Sequence, residues 1–191
     1  MKPQILLDEK RGRLLYYPEV FSPEYFFRLD QEIAWKQDCI KIFGRTVPLP
    51  RLTAWYGDPG VSYRYSGIVN NPKPWTVCLL QLRSRLEELT GASFNSVLLN
   101  RYANGEQHQG YHADDEPELG DEPFIASVSF GAARMFRLKE KRGVKRLGIL
   151  LEPGSVLVMA GALQSHFLHA LPKSRKVGEP RINLTFRRIF L

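Results

Sequence analysis

The chain has 191 residues, and its 43% hydrophobic and 25% charged content predicts a folded globular protein and excludes a disordered one. No apolar run approaches the roughly 20 residues that a membrane-spanning helix needs, so no membrane partner is expected. The net charge of +7, from 27 Lys and Arg against 20 Asp and Glu, favours a polyanionic partner such as nucleic acid.

The first residues turn charged after a short apolar run, which is not typical of a signal peptide. We therefore expect a cytoplasmic protein, or a nuclear one in a eukaryotic cell. Cys39 and Cys78 have neither a paired metal-ligand spacing nor the pattern of a disulfide framework. The length favours one domain over residues 1–191, and a monomer is expected.

The first predicted element is a strand at residues 14–17, and a helix is predicted after it. Ser22-Pro23-Glu24 predicts the helix start, since Ser caps free amides, Pro fits the first turn and Glu favours the positive end. Phe26, Leu29 and Ile33 recur at helical spacing, and the helix is predicted to continue to about Gln37.

Residues 40–47 alternate around Gly44, which predicts a hairpin with Phe43 and Gly44 near its tip. Two interpretations of Phe43 remain open. The ring could pack in the core, as isolated aromatic residues usually do. It could instead act as an apolar wedge in a stacked duplex, as in minor-groove and base-flipping proteins.

Residues 55–60 predict a turn, and the strand after it places Tyr63 and Tyr65 on one face. The two rings could stack on an extracted base, with Arg51 and Arg64 near phosphates. They could equally form a sheet face that is buried under helices. A second helix is predicted to begin within residues 71–75 and to end at Gly91.

From Phe94 onward the hydrophobic pattern has period two. Turn residues separate seven predicted strands, at residues 94–102, 124–130, 134–138, 147–151, 155–159, 165–170 and 181–190. Many short strands predict a sandwich or jelly roll, and helices that precede them are expected to cover one face. The predicted fold is α+β, mainly β: a double-stranded β-helix (jelly roll) supported by N-terminal helices.

His112-Ala113-Asp114 places an imidazole and a carboxylate on the same side of an extended segment. His169, further along the chain, is a candidate third ligand. Two histidines and one carboxylate on one side of an iron ion leave positions open for a substrate and dioxygen. An ordinary surface histidine is the alternative interpretation of each imidazole.

The last predicted strand has two different faces. Alternation places a polar row on one face and an apolar row on the other: Arg181, Asn183, Thr185 and Arg187, against Ile182, Leu184 and Phe186. A buried arginine needs an anion, so an inward polar row indicates an anionic ligand. An amphipathic edge strand with solvated arginines is the alternative.

The ordered set of His112-Ala113-Asp114, His169 and the run from Arg181 to Arg187 resembles the AlkB family of iron- and 2-oxoglutarate-dependent dioxygenases. Asn100, Tyr102 and residues 125–131 match the family pattern as well. The resemblance extends from about Tyr16 to the C-terminus. Within this family, the chain is most similar to the branch that prefers double-stranded DNA.

The resemblance implies Fe(II), 2-oxoglutarate and dioxygen as cofactor and cosubstrates, with His112, Asp114 and His169 as metal ligands. The implied 2-oxoglutarate site consists of Arg181 for the distal carboxylate, Asn100 and Tyr102 as helpers, and Asn183 and Arg187 near the end chelated to the metal. A bidentate pairing with a carboxylate suits the geometry of an arginine.

The resemblance also implies a nucleotide-recognition hairpin lid, with helices and lid in about residues 1–92 and the jelly-roll core in about 93–191. The implied substrate contacts are the finger at Phe43, the aromatic slot of Tyr63 and Tyr65 opposite His112, and Asp115 at the base edge. The basic tract at residues 139–146 could hold the opposite strand, or could be a solvated hairpin tip.

The implied function is repair of N1-methyladenine and N3-methylcytosine in alkylated DNA, or in RNA. The enzyme would hydroxylate the N-methyl group and release formaldehyde and succinate. One alternative keeps the oxygenase and changes the substrate to RNA or a protein side chain. Another is a nucleic-acid binder without enzymatic activity, for which the three candidate ligands would be dispensable.

Overall fold

The computed structural model of the chain describes residues 1–42, 44–61, 63–65 and 68–190, and side chains in these ranges except at 40–42, 63–65 and 68–70. The α-helices that it describes are α1 (Tyr25–Glu32), α2 (Val77–Thr90) and α3 (Leu163–His166). The strands that it describes are β1 (Gln4–Glu9), β2 (Gly12–Tyr17), β3 (Cys39–Ile42), β4 (Arg45–Pro48), β5 (Leu52–Gly57), β6 (Tyr63–Tyr65), β7 (Ile68–Asn70), β8 (Ser96–Tyr102), β9 (Gln109–His112), β10 (Ile125–Gly131), β11 (Arg134–Glu140), β12 (Arg146–Leu151), β13 (Val156–Ala160), β14 (Phe167–Leu171) and β15 (Arg181–Arg187).

Two antiparallel sheets form the body of the protein. The larger, the major sheet, has the order β1-β2-β13-β10-β15-β8-β5, and the smaller, the minor sheet, has the order β12-β11-β14-β9. Neighbours in each sheet are far apart in the sequence, as in the pairing of β15 with both β8 and β10. This is the predicted jelly roll, and helices support it as predicted.

The outer face of the major sheet is covered by α1 and α2. Leu29 of α1 and Leu82 of α2 are fully buried against the apolar face of β15, which contributes Ile182, Leu184 and Phe186. A second apolar cluster fills part of the space between the two sheets, with Leu157 from the major sheet and Leu138 from the minor one. The remaining space between the sheets is the cavity described below.

Helix α1 is shorter than the sequence predicts. It begins at Tyr25 and ends at Glu32, because Ile33 is extended, with ψ 130°. Lys36 then pairs with Thr53 through two backbone hydrogen bonds of 2.9 and 2.8 Å. The prediction of helix to Gln37 was wrong, since this segment extends the edge of the major sheet at β5.

The turn predicted at residues 55–60 begins only at Asp58. Trp55 to Gly57 belong to β5 and pair with β8, with Trp55 opposite Leu98. Helix α2 also begins later than predicted, after its N-cap Thr76, because the backbone of Lys73 is hydrogen-bonded to Trp55 and Gly57. Its predicted end is confirmed: Gly91 is the C-cap, with a left-handed φ of 70°.

The hairpin predicted at residues 40–47 is present as the β3–β4 pair, in which Ile42 lies opposite Arg45. Phe43 lies outside the described residues. All seven strands predicted after Phe94 are present, with different ends: β8 begins at Ser96, residues 165 and 166 belong to α3, and β15 ends at Arg187. The short strand β9 was not among the seven. Among the described residues, none of the helices combines the length and the apolar character needed to cross a membrane.

Candidate functional site

The minor sheet brings the two candidate histidine ligands together. His112 ends β9 and lies opposite His169 of β14, with ring centroids 4.2 Å apart. Asp114 follows two residues after His112, and its Oδ1 lies 3.7 Å from Nε2 of His112. The potential ligand atoms of the three residues lie within 4.8 Å of one another. The sequence prediction that these side chains converge is confirmed.

The orientation of each ligand is fixed by a neighbour. The backbone carbonyl of Gly110 accepts a hydrogen bond of 2.9 Å from Nδ1 of His112, which leaves Nε2 for a metal. The backbone N–H of Asp114 donates to Oε1 of Gln164 at 3.0 Å. The ring of Phe136 stacks on His169, with centroids 5.4 Å apart.

The protonation states in the site suit metal binding. Burial alone would raise the pKa of Asp114, but the positive charge of Arg187 and the two imidazoles outweigh it and lower the pKa to about 2. Burial lowers the pKa of His169 to about 4, against the opposing effect of Asp114. A carboxylate and a neutral imidazole are the ligand forms that a metal requires.

The donor set therefore fits an iron ion. Two imidazole nitrogens and one carboxylate oxygen on one side of a site are the 2-His-1-carboxylate set of non-haem Fe(II) oxygenases. Among the described residues, His112, Asp114 and His169 are the group of His, Cys, Asp and Glu side chains close enough to hold a metal.

A cavity of about 440 Å³ between the two sheets extends from this triad along the polar face of β15. Its lining includes Asn100 and Tyr102 of β8 and the polar residues of β15. The cavity is large enough for a small dicarboxylate beside the metal site. The prediction that the polar face of β15 points inward is confirmed.

Arg181 is at the far end of this row and is only 2% exposed. Its Nη2 donates to Oγ of Ser129 at 2.9 Å, and its guanidinium lies 5.7 Å from the ring centroid of Tyr102. Among the described residues, no carboxylate lies within salt-bridge distance and Nε has no hydrogen-bond partner. Burial lowers the pKa of Arg181 to about 10. A carboxylate bound here would satisfy both its charge and its free donor.

The middle of the row is held by short polar contacts. Nδ2 of Asn183 donates to Oγ of Ser127 at 2.8 Å, and Oγ1 of Thr185 donates to Oδ1 of Asn183 at 3.2 Å. On the neighbouring strand, Asn100 lies opposite Asn183 and accepts a hydrogen bond of 2.6 Å from Nε of Arg51. The polar groups that would face a cosubstrate are therefore already oriented.

Arg187 joins the row to the metal ligands. Its Nη2 lies 2.6 Å from Oδ2 of Asp114. Residues six apart on a strand are about 20 Å apart along its backbone, so Arg181 and Arg187 lie at opposite ends of the polar row. This separation explains why both arginines can line one site without competing for the same carboxylate.

The structure describes only part of the predicted substrate contacts. Arg51 lines the cavity, where its guanidinium is hydrogen-bonded to Asn100. It therefore lies inside the site and not on an open surface. The side chain of Asp115 is 56% exposed and forms an ion pair of 3.1 Å with Lys141. Phe43 and the side chains of Tyr63 and Tyr65 lie outside what the structure describes.

The basic tract at residues 139–146 forms the turn end of the β11–β12 hairpin, and several of its charges are paired. Glu140 binds Arg11, and Nζ of Lys145 lies 2.9 Å from a carboxylate oxygen of Glu9. Nζ of Lys139 lies 4.0 Å from the ring centroid of Tyr111. These contacts leave fewer free cations for a phosphate backbone than the sequence suggests.

Sequence reasoning missed several residues of the site. Ser127 and Ser129 alternate with apolar residues on β10, and that pattern could have identified them as members of the inward polar row. Gln164 and Phe136 support metal ligands from α3 and β11, and no local pattern indicates this role. A supporting side chain is identified by the distant atom that it contacts, which only the fold specifies.

Comparison with known proteins gives the same picture. The family model of the 2OG-Fe(II) oxygenase superfamily matches residues 15–187. The chain is 44% identical over 175 residues to the alpha-ketoglutarate-dependent dioxygenase alkB homolog 3 of Bos taurus, covering 86% of this chain and 60% of the relative. It is 43% identical over 179 residues to the DNA oxidative demethylase ALKBH2 of Mus musculus, covering 88% and 75%.

A solved structure also has this fold. The structure of OsALKBH1 superposes with a TM-score of 0.69 at 15% identity, covering 97% of this chain and 100% of that one. The chain spans 60% of the length of the Bos taurus relative.

Proposed function

We propose that this chain, which belongs to the AlkB family of 2OG-Fe(II) oxygenases, is an oxidative demethylase of alkylated bases in nucleic acid, principally DNA. The observation that carries the proposal is one cavity that is lined both by a His-Asp-His triad and by the buried Arg181. The triad would supply ligands to a metal, and Arg181 would supply a positive charge and hydrogen-bond donors to a dicarboxylate.

In this proposal each side chain has a defined part. His112, Asp114 and His169 hold Fe(II), and Arg187 keeps Asp114 ionised and oriented. The guanidinium of Arg181 donates to the distal carboxylate of 2-oxoglutarate. Asn100, Tyr102 and Asn183 line the cavity and exclude water from it.

Fe(II), 2-oxoglutarate and dioxygen together supply the oxidation: one oxygen atom hydroxylates the N-methyl group, which leaves as formaldehyde, and the other enters succinate as carbon dioxide is lost. The protein contributes binding, orientation and electrostatics. The buried, preorganised polar groups described above are suited to this task.

An alkylated base is the proposed substrate, since the relative from Mus musculus is named a DNA oxidative demethylase and this chain carries a net charge of +7. A base inside a duplex must be flipped out before an enzyme can reach it. We assign that task to Phe43 as wedge and to Tyr63, Tyr65 and Asp115 as contacts to the extruded base. The protein would act as a monomer in the compartment that holds the nucleic acid.

The proposed unit is a single domain over residues 1–191. Strands β1, β2 and β5, from the first 92 residues, belong to the major sheet. The β3–β4 and β6–β7 hairpins lie outside the two large sheets and are the segments that we assign to a nucleotide-recognition lid.

The direct test is a single-turnover reaction. Protein, Fe(II), 2-oxoglutarate and an oligonucleotide with N1-methyladenine or N3-methylcytosine are mixed without oxygen, and air is then admitted. We expect mass spectrometry to show loss of one methyl group, with formaldehyde and succinate in equal amounts. Iron-loaded protein that removes no methyl group from DNA or RNA would contradict the proposal.

The same assay separates the candidate substrates. Methylated duplex DNA, single-stranded DNA and RNA of one sequence are compared at one salt concentration, because salt shifts all backbone affinity together. Faster turnover on RNA than on both DNA forms would assign the protein to the RNA alternative. Cosubstrate consumption that no nucleic acid stimulates would favour a protein side chain.

A further inference from the structure

The most buried cation among the described residues outside the proposed ligand set is Arg134, at the start of β11. It is 1% exposed, and its guanidinium lies within hydrogen-bond distance of four backbone carbonyls, three of which share the two N–H groups of Nη2. The acceptors and distances are Asn104 at 3.1 Å, Gly105 at 3.3 Å, Gln107 at 3.0 Å and Pro172 at 2.8 Å. Among the described residues, no carboxylate lies within salt-bridge distance of it.

These carbonyls belong to two separate segments. Residues 103–108 connect β8 to β9, which ends at His112, and Pro172 follows β14, which carries His169. Two further backbone bonds of 2.8 Å join the segments, from the N–H of Gly105 to Val177 and from the N–H of Ser174 to Gly105. Arg134 thus holds together the start of β9 and the end of β14, the two strands that carry His112 and His169.

The approach of these segments is close enough to require glycine at position 105. A Cβ added there would lie 1.9 Å from the carbonyl oxygen of Ser174, and this oxygen belongs to the backbone, so the segments would have to separate. Gly105 therefore depends on the same packing that Arg134 stabilises, and it offers an independent way to disturb it.

Tyr102 connects this packing to the cavity. Its ring is 3% exposed and lies near two guanidiniums, with Arg134 at 5.9 Å and Arg181 at 5.7 Å from the ring centroid. Tyr102 lines the cavity beside Arg181, since the two residues are opposite each other on β8 and β15. Moving Arg134 would remove one of the two cations that this ring contacts.

We propose that Arg134 is a positioning residue for the cosubstrate: it fixes the part of the cavity wall that Tyr102 forms and, through Tyr102, the place of the Arg181 guanidinium. The inference rests on the proposed function in taking 2-oxoglutarate as the ligand of Arg181. Arg134 itself does not line the cavity in the described structure. Its effect is therefore on the affinity for the dicarboxylate and not on the oxidation step.

The energetics support a specific effect. A guanidinium has a planar fork of donors that serves several carbonyls at once, and an ammonium group cannot reproduce it. Its removal leaves buried carbonyls without donors, and these must move or take up water. Residues that orient metal ligands change metal affinity or activity by about 10- to 100-fold when they are replaced, and we expect a similar scale for a residue that orients the cosubstrate arginine.

The test compares Arg134→Met and Arg134→Lys with the wild-type protein. We expect KM for 2-oxoglutarate to rise about tenfold in Arg134→Met and less in Arg134→Lys, in line with the usual effect of supporting residues. The maximal rate and KM for the methylated oligonucleotide should change much less than KM for 2-oxoglutarate. A purely structural residue would not separate the two Michaelis constants.

Gly105→Ala supplies the second perturbation, because it strains the same packing and leaves Arg134 in place. We expect the same selective rise in KM for 2-oxoglutarate. The matched control is Arg101→Met. Arg101 is the residue before Tyr102, but it points to the other face of β8 and binds Asp30. This control should lower the urea midpoint and leave KM for 2-oxoglutarate unchanged.

A binding measurement is independent of turnover. Calorimetry with N-oxalylglycine, an unreactive analogue, on manganese-loaded protein should give a dissociation constant about tenfold higher for Arg134→Met and Gly105→Ala than for wild type. Wild-type protein that neither binds the analogue nor consumes 2-oxoglutarate would refute the proposed function. Wild-type binding that both variants retain, or equal rises in both Michaelis constants, would overturn the role of Arg134.

Discussion

At the scale of single residues, Asp114 has the most constrained environment in the site. One carboxylate oxygen lies 2.6 Å from Arg187 and the other 3.7 Å from His112, while the residue is almost fully buried. A buried carboxylate without such neighbours would take up a proton near neutral pH. Here the opposing charges keep its pKa near 2, so the negative charge is available to a cation at every physiological pH.

Replacing Asp114 with Asn therefore removes the negative charge that Arg187 and the two imidazoles stabilise. We expect Asp114→Asn to lose iron binding and oxidative turnover, because the neutral amide is a poor metal ligand and leaves Arg187 without its anion. Metal content by atomic absorption after dialysis, together with the demethylation assay, measures both effects.

The adjacent residue provides the control. Asp115→Asn makes the same chemical change one position away, at a side chain that is exposed and paired with Lys141. It should keep the full metal content, since exposed ion pairs contribute little to the fold and Asp115 is not in the triad. Equal metal content in Asp114→Asn and wild type would contradict the assignment of the ligand.

Residue roles differ in how far the sequence reveals them. His112, Asp114 and the two arginines of β15 were predictable, because short spacing and strand alternation place them on one face. Arg134 was not, since its partners are carbonyls of residues about 30 positions earlier and 38 later. Such contacts depend on where two turns meet, and no local pattern records that.

At the scale of elements, β15 shows how alternation builds both the core and the site. Leu184 is fully buried on the face toward α1 and α2, and its neighbours Asn183 and Thr185 line the cavity. The two-residue period of polar and apolar side chains predicted this strand correctly. The same kind of pattern failed for α1, where the backbone bonds between Lys36 and Thr53 override helical propensity, and for β5, where pairing with β8 overrides turn propensity.

Leu184→Ala tests the packing of that strand. We expect it to lower the free energy of unfolding by ~2–5 kcal/mol, since it removes a large side chain from a close-packed core and leaves a cavity. Urea denaturation followed by circular dichroism measures the change. Leu150→Ala, a leucine of β12 that is 46% exposed, should change stability by about 0.5 kcal/mol or less. Similar losses in both variants would argue against the burial described here.

The β3–β4 hairpin belongs to the same scale, and the family resemblance assigns Phe43 the role of its wedge. Phe43→Ala should slow repair of methylated duplex DNA more than repair of the same single strand, because only the duplex has a base to displace. The measurement is the ratio of initial rates on the two substrates. Val47→Ala, an exposed apolar change on β4, should leave that ratio unchanged. Equal losses on both substrates would rule out the wedge.

At the scale of the whole molecule, the fold joins segments that the sequence keeps apart. The triad depends on β9 and β14, which pair across more than fifty residues, and the cavity needs both sheets. The number and spacing of the strands predicted a jelly roll, but not the pairing order that sets these neighbours. The resemblance to a known family supplied the missing long-range information.

The charge of the molecule leads to a prediction that separates its two proposed ligands. With a net charge of +7, binding of a methylated duplex should weaken steeply with salt, by about 0.9 in the log–log slope for each phosphate neutralised. The binding of N-oxalylglycine should change far less, because Arg181 is buried and salt screens buried pairs weakly. Fluorescence anisotropy for the duplex and calorimetry for the analogue, both from 50 to 200 mM salt, a range of about fourfold, measure the two slopes. A shallow slope for the duplex would mean that the basic residues do not face the phosphate backbone. A steep slope for the analogue would mean that its arginine is open to solvent.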